Sequence, residues 1–64
     1  MNYIQALKVL REKLDDKSIA LEKLAMFQNN TTEQHNRLLL CSSLLRDAAD
    51  VIRAVVAELE KETE

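Results

Sequence analysis

The sequence predicts an all-α fold: a two-helix antiparallel hairpin, coiled-coil-like, completed by a partner chain or by dimerisation into a four-helix bundle. Three observations carry this. The 64 residues include no glycine and no proline, the two residues that weaken or break a helix interior. Leu38, Cys41, Leu45, Ala48, Ile52, Val55 and Leu59 alternate steps of three and four, which lines side chains up along one helix. Only Tyr3 and Phe27 are aromatic, and the turn glycines and β-branched or aromatic alternation of a sheet protein are missing.

The first helix is expected over about residues 3–28. Asn2 precedes it as a cap, with Gln5 placed to return the bond. Tyr3, Leu7, Leu10, Leu14, Leu21 and Leu24 then recur at heptad spacing, interrupted by Lys17, with Ala6, Ala20 and Phe27 alongside. Ile4, Val9, Ile19 and Met26 fall outside that stripe and read as ordinary exposed hydrophobes, with partner contact as the alternative. A polar turn follows at 29–31, where Asn29 or Asn30 offers a left-handed cap in a chain lacking glycine. The second helix, about 32–61, starts from Thr31 with Gln34 as its reciprocal partner. Its end, Glu60 to Glu64, is expected to fray.

A short turn makes the two helices antiparallel neighbours. The expected register sets Leu21 near Cys41, Leu14 near Ala48, Leu10 near Ile52, Leu7 near Val55 and Tyr3 near Leu59. Lys17 then falls opposite Leu44 and Leu45, its stem along them and its ammonium in water. Leu44, Ala49, Val51 and Val56 widen the apolar face of the second helix beyond a two-helix seam, so it wants more than one neighbour.

Size makes the same demand. Ordering a residue's backbone costs roughly 1–2 kcal/mol, against about 0.8 kcal/mol gained per buried CH₂. A lone hairpin leaves half of each helix exposed, and chains this short need disulfides, metals or another chain. One cysteine closes no internal disulfide, and one histidine with it makes a poor metal site. Association is the remedy left.

The residues offer little for chemistry. Phosphate-cradling loops need glycine. No glutamate stands three residues before His35, as a di-metal bundle would have it. His35 and Cys41 fall on different faces of one helix, so they form no nucleophile–base pair. Cys41, at a seam position, is expected as a buried structural thiol, His35 as a surface or interface residue, and Asp15 with Asp16 as solvated surface. The chain is therefore expected to be no enzyme, with no catalytic, cofactor or metal residues.

The formal net charge is −2, with acids and bases interleaved. Arg46 with Asp50, Asp50 with Arg53, and Lys8 with Glu12 stand at spacings that pair on a helix surface. Nucleic-acid binding needs clustered bases, which the acids here dilute, so no nucleic acid is expected. The longest apolar run, Leu38 to Cys41, is far short of a membrane span or a signal-peptide core. A cytoplasmic protein without membrane insertion is the expectation.

From Gln34 the second helix reads QHNRLLLCSSLLRDAADVIRAVVAEL. It resembles the small helical-hairpin co-chaperones of type III secretion needle subunits. In that family the second helix opens with glutamine and an aromatic residue, and continues with alanine followed by pairs of β-branched aliphatics. Gln34 and His35 stand at the opening pair, His35 where the family has tyrosine. Ala48, Val51, Ile52, Val55 and Val56 stand in the aliphatic run, closed by Leu59. The resemblance implies a cytoplasmic subunit that pairs with a helical-repeat chaperone to hold the secreted needle subunit. It is similar to the physical reading in needing a helical partner.

The outward part of the second helix, Leu44, Val51, Val55, Val56 and Leu59, is the expected partner contact. The alternative is self-association into a homodimeric four-helix bundle, an adaptor or regulator of phage or plasmid type, with RNA binding less favoured.

Overall fold

The computed structural model describes residues 2–63. They form two helices, α1 (Tyr3–Ala25) and α2 (Thr32–Thr63), in an antiparallel hairpin. Its extents of 50 × 18 × 11 Å make it a slab one helix thick. Glu64, the last residue of the end expected to fray, lies outside the described residues.

Each helix start follows from its capping chemistry. Asn2 Oδ1 accepts from the Gln5 backbone N–H at 2.8 Å. At α2, Thr31 Oγ1 accepts from the Gln34 N–H at 3.1 Å, and Gln34 Oε1 accepts from the Thr31 N–H at 3.0 Å. Two otherwise orphaned donors are satisfied reciprocally there.

The end of α1 departs from expectation. The helix stops at Ala25, not Gln28, and no described residue is left-handed. A left-handed turn is costly for any residue with a Cβ, and this chain leaves the helix without one. The Met26 and Phe27 N–H groups reach back three residues, to the Lys23 and Leu24 carbonyls. Asn30 serves as a cap through its side chain: Nδ2 donates to the Leu24 carbonyl at 2.6 Å. His35 Nδ1 donates to the Ala25 carbonyl at 2.6 Å, which places a proton on that nitrogen.

Seven residues make nearly two helical turns, so positions seven apart share a line. The line of α1 that faces α2 holds Ile4, Arg11, Ser18 and Ala25; that of α2 holds His35, Ser42, Ala49 and Val56. Ser18, Ala25, Ser42, Ala49 and Val56 are the buried residues of the described chain. Interaxial distance depends on the side chains at the contact, and small side chains let these two helices approach closely. Ile4, read from sequence as lying off the stripe, belongs to this line and is half-buried, as is Val9; Ile19 and Met26 are exposed.

The two flanks of this line differ. On one, Leu7, Leu14 and Leu21 of α1 and Leu38, Leu45, Ile52 and Leu59 of α2 are half-buried. On the other, three ion pairs join the helices at heptad intervals: Lys8–Glu60 at 3.0 Å, Asp15–Arg53 at 3.6 Å and Glu22–Arg46 at 2.7 Å. Two of the three surface pairs expected within helices are thereby redirected. Lys8 pairs across the hairpin rather than with Glu12, and Arg46 rather than with Asp50, while Arg53 bonds both Asp15 and, at 2.6 Å, Asp50. Asp15 is thus half-buried in an interhelical pair, and Asp16 is exposed.

Ser18 and Ser42 fix the register. Their hydroxyls lie 2.8 Å apart, and each also reaches the other's backbone carbonyl at 3.0 Å. Arg46 Nε donates to Ser18 Oγ at 3.0 Å, and Ser42 Oγ lies 3.2 Å from Glu22 Oε1. With Arg46 also paired to Glu22, a ring of donors and acceptors closes: Arg46 to Ser18, Ser18 to Ser42, Ser42 to Glu22. No buried side-chain polar atom among the described residues lacks a partner. Ser18 is level with Ser42, whereas the expected register set it level with Leu44. The ring closes only at this setting: a two-residue slip would leave the buried hydroxyls unpaired, at a cost of about 1–3 kcal/mol each.

Candidate functional site

Side chains that carry apolar surface into water are the candidate site. Beyond the half-buried leucine flank, the next lines outward hold Tyr3, Leu10, Lys17 and Leu24 on α1, and Cys41, Ala48 and Val55 on α2. All seven are exposed. Leu10 and Leu24 are each 46% exposed, and Val55 42%. Leu44 and Val51 stand at the outer margin on α2, more exposed still, with Ala6 and Ala20 at the margin on α1. One side of the slab is thus apolar along its length and contributed by both helices. The opposite side carries the ion pairs.

This geometry divides the sequence-predicted seams. Leu38, Leu45, Ile52 and Leu59 touch inward. Cys41, Ala48 and Val55, their alternates, face out, because the hairpin is closed by Ser42, Ala49 and Val56 one residue further on. Cys41 is therefore exposed, a correction to the buried thiol expected from its seam position. Lys17 is exposed on the same side.

The five expected contact residues separate likewise. Leu44, Val51 and Val55 are exposed on the open side, and Leu59 is half-buried at its inner edge. Val56 is 4% exposed within the hairpin, so it is no outward residue: it lies on the line that faces α1. The contribution of α1, through Leu10, Leu24 and Tyr3, was missed as a site. Its heptad signal alone does not separate packing within the hairpin from an open surface.

At the hairpin tip, Met26 and Phe27 are exposed beside a cleft of about 330 Å³ floored by Ala25, Thr31 and His35. On the polar side a second cleft, about 420 Å³, is lined by Asp15, Ile19, Arg46, Asp50 and Arg53; Arg53 already pairs with Asp15 and Asp50, and Arg46 with Glu22. Among the described residues, no group of three or more His, Cys, Asp or Glu is placed to hold a metal ion, and no helix is long and apolar enough to cross a membrane. Among known proteins, no family model, curated protein or solved structure matches this chain.

Proposed function

We propose that this chain is a non-enzymatic, protein-binding subunit, a helical hairpin that works by burying its open apolar side against another helical chain to complete a four-helix bundle. The observation that carries this is the exposure of Leu10, Leu24, Val51 and Val55 on one side of a hairpin that has little core of its own. Among the described residues, only Ala25, Ala49 and Val56 are buried hydrophobic residues. Large contiguous apolar surfaces on a small protein mark interaction sites, and an amphipathic helix surface is met best by another. Leu44, Val51 and Val55 remain the contact residues on α2, with Leu59 at the edge, and Leu10 and Leu24 join them from α1.

The narrower form of this reading is a cytoplasmic co-chaperone that pairs with a helical-repeat chaperone around a type III secretion needle subunit. Its support is the resemblance of the stretch from Gln34 to Leu59. The other form is a homodimeric adaptor or regulator, supported by the equal share that both helices take in the open side.

Val55→Asp, compared with the parent chain by circular dichroism and thermal melting, tests the general reading. The parent's helicity should depend on its apolar side being covered, falling on dilution, and the variant should remain largely non-helical at concentrations where the parent is folded. A parent chain that is a fully helical monomer at every dilution, and a variant that melts with it, would contradict the reading.

A further inference from the structure

We infer that the chain covering the open side is a second copy of this one, packed like on like: α2 antiparallel on its counterpart and α1 on its counterpart, about a single twofold axis that crosses α2 at Ala48 and α1 at Glu12, which the Ser18–Ser42 register sets level with it. The inference rests on the protein-binding reading and names its partner.

A twofold contact is isologous: if residue i meets j of the other copy, then j meets i. Helices packed in this way must match in side-chain size about their midpoint. The α2 stripe does. Around Ala48, Cys41 and Val55 stand seven residues to either side, while Leu45 with Ile52 and Leu38 with Leu59 stand within one residue of equal offsets. Heptad spacing alone would bring the positions close to symmetry, but not the volumes. Ala48, the smallest, lies at the centre, where two α2 helices approach most closely. On α1, about the level of Glu12, Leu10 matches Leu14 and Tyr3 matches Leu21. The mismatch is Leu7 with Lys17, whose four-carbon stem lies along a leucine while its ammonium reaches the margin.

Area agrees. The chain exposes 5037 Å², against about 4,200 Å² for a compact monomer of its 7.3 kDa. The surplus is close to the roughly 800 Å² that each partner contributes to a standard stable interface. The slab face, 50 by 18 Å, is large enough to supply it. The polar side is the poorer candidate, since three interhelical ion pairs run along it and its exposed apolar residues, Ile19 and Leu39, are isolated among them.

Sedimentation equilibrium of the full chain, with helicity followed on the same samples, gives the mass. Cross-linking gives the axis. In a Cys41→Ser background, Ala48→Cys should bridge to itself across the twofold when oxidised with copper phenanthroline. Asp47→Cys in the same background, at an exposed position pointing away from the open side, is the control. A helical species of twice the chain mass is expected, with bridging at Ala48→Cys roughly tenfold faster than in the control, since a disulfide needs Cα atoms within about 7 Å. A dimer in which the two variants bridge equally overturns the like-on-like packing. A monomer that is poorly helical overturns the second copy but leaves the protein-binding reading standing, because its apolar side is then uncovered. A fully helical monomer overturns both.

Discussion

The two flanks of the hairpin start from the same heptad spacing and reach opposite outcomes. On one, Lys8, Asp15 and Glu22 of α1 meet Glu60, Arg53 and Arg46 of α2, and the charged ends, half in water, complete that side. On the other, leucines stand at the same intervals, half-buried, with a second apolar line beyond them in solvent. Ion pairs finish a surface, since charged ends are satisfied by each other and by water. Leucines do not, because half of their surface still gains by leaving water. The polar flank orients the two helices; the leucine flank leaves the hairpin with something to bind.

The sharpest way to break this comparison is to place the same charge on each flank. Leu10→Asp puts a carboxylate where the account has a covered apolar contact. An unpaired charge in such a place costs on the order of 3–5 kcal/mol, more than a hundredfold in association. Ser43→Asp, exposed on the polar side, should change stability by less than about 0.5 kcal/mol. Urea melts of both variants at equal concentration measure the difference.

Next in size is the serine ring between the flanks. Ser18→Ala removes one hydroxyl of a bonded pair and should cost roughly 1–2 kcal/mol, because Ser42 and Arg46 lose a partner. Ser18→Ala with Ser42→Ala should recover part of that loss, since removing both partners leaves less unsatisfied. A double-mutant cycle by chemical denaturation reads the coupling. Strictly additive losses would mean that the ring is not a unit.

Smaller effects follow at the ends and on the surface. Thr31→Ala deletes the α2 cap and should cost about 1 kcal/mol, seen as a lower denaturation midpoint at unchanged slope. Arg53→Ala removes a pair whose side chains are half-exposed, at 3.6 Å from Asp15. Such pairs contribute roughly 0–1 kcal/mol and are screened by salt. The difference between Arg53→Ala and the parent should shrink in high salt, whereas that for Leu10→Asp should not vanish.

The fold was legible because nothing in the sequence opposes it. With no glycine or proline to interrupt them, caps at Asn2 and Thr31 and heptads on both sides lead to one hairpin. What periodicity could not supply was rotation. A stripe of Leu38, Cys41, Leu45 and Ala48 reads as a seam, but a helix can turn its neighbour toward either edge of it. The choice fell to the next line, Ser42, Ala49 and Val56, because two serines can satisfy each other at close range while two leucine rows would hold the helices apart. Serine reads from sequence as polar surface, so Ser18 and Ser42 gave no warning of being among the most buried side chains. The same rotation moved Cys41 outward and Val56 inward. The end of α1 was misplaced for a local reason: asparagine caps by side chain as well as by a left-handed backbone, and here Asn30 uses its side chain.

The native thiol tests the central claim most directly, because Cys41 lies on the open apolar side and needs no substitution. Its labelling rate by a water-soluble thiol reagent should be followed as the chain is concentrated, with helicity and mass recorded alongside. The account predicts that labelling slows as association proceeds, and that Leu10→Asp restores the fast rate. If Cys41 of an associated, helical chain labels as fast as that of the dilute chain, association uses some other surface, and the leucine side is not what this hairpin binds with.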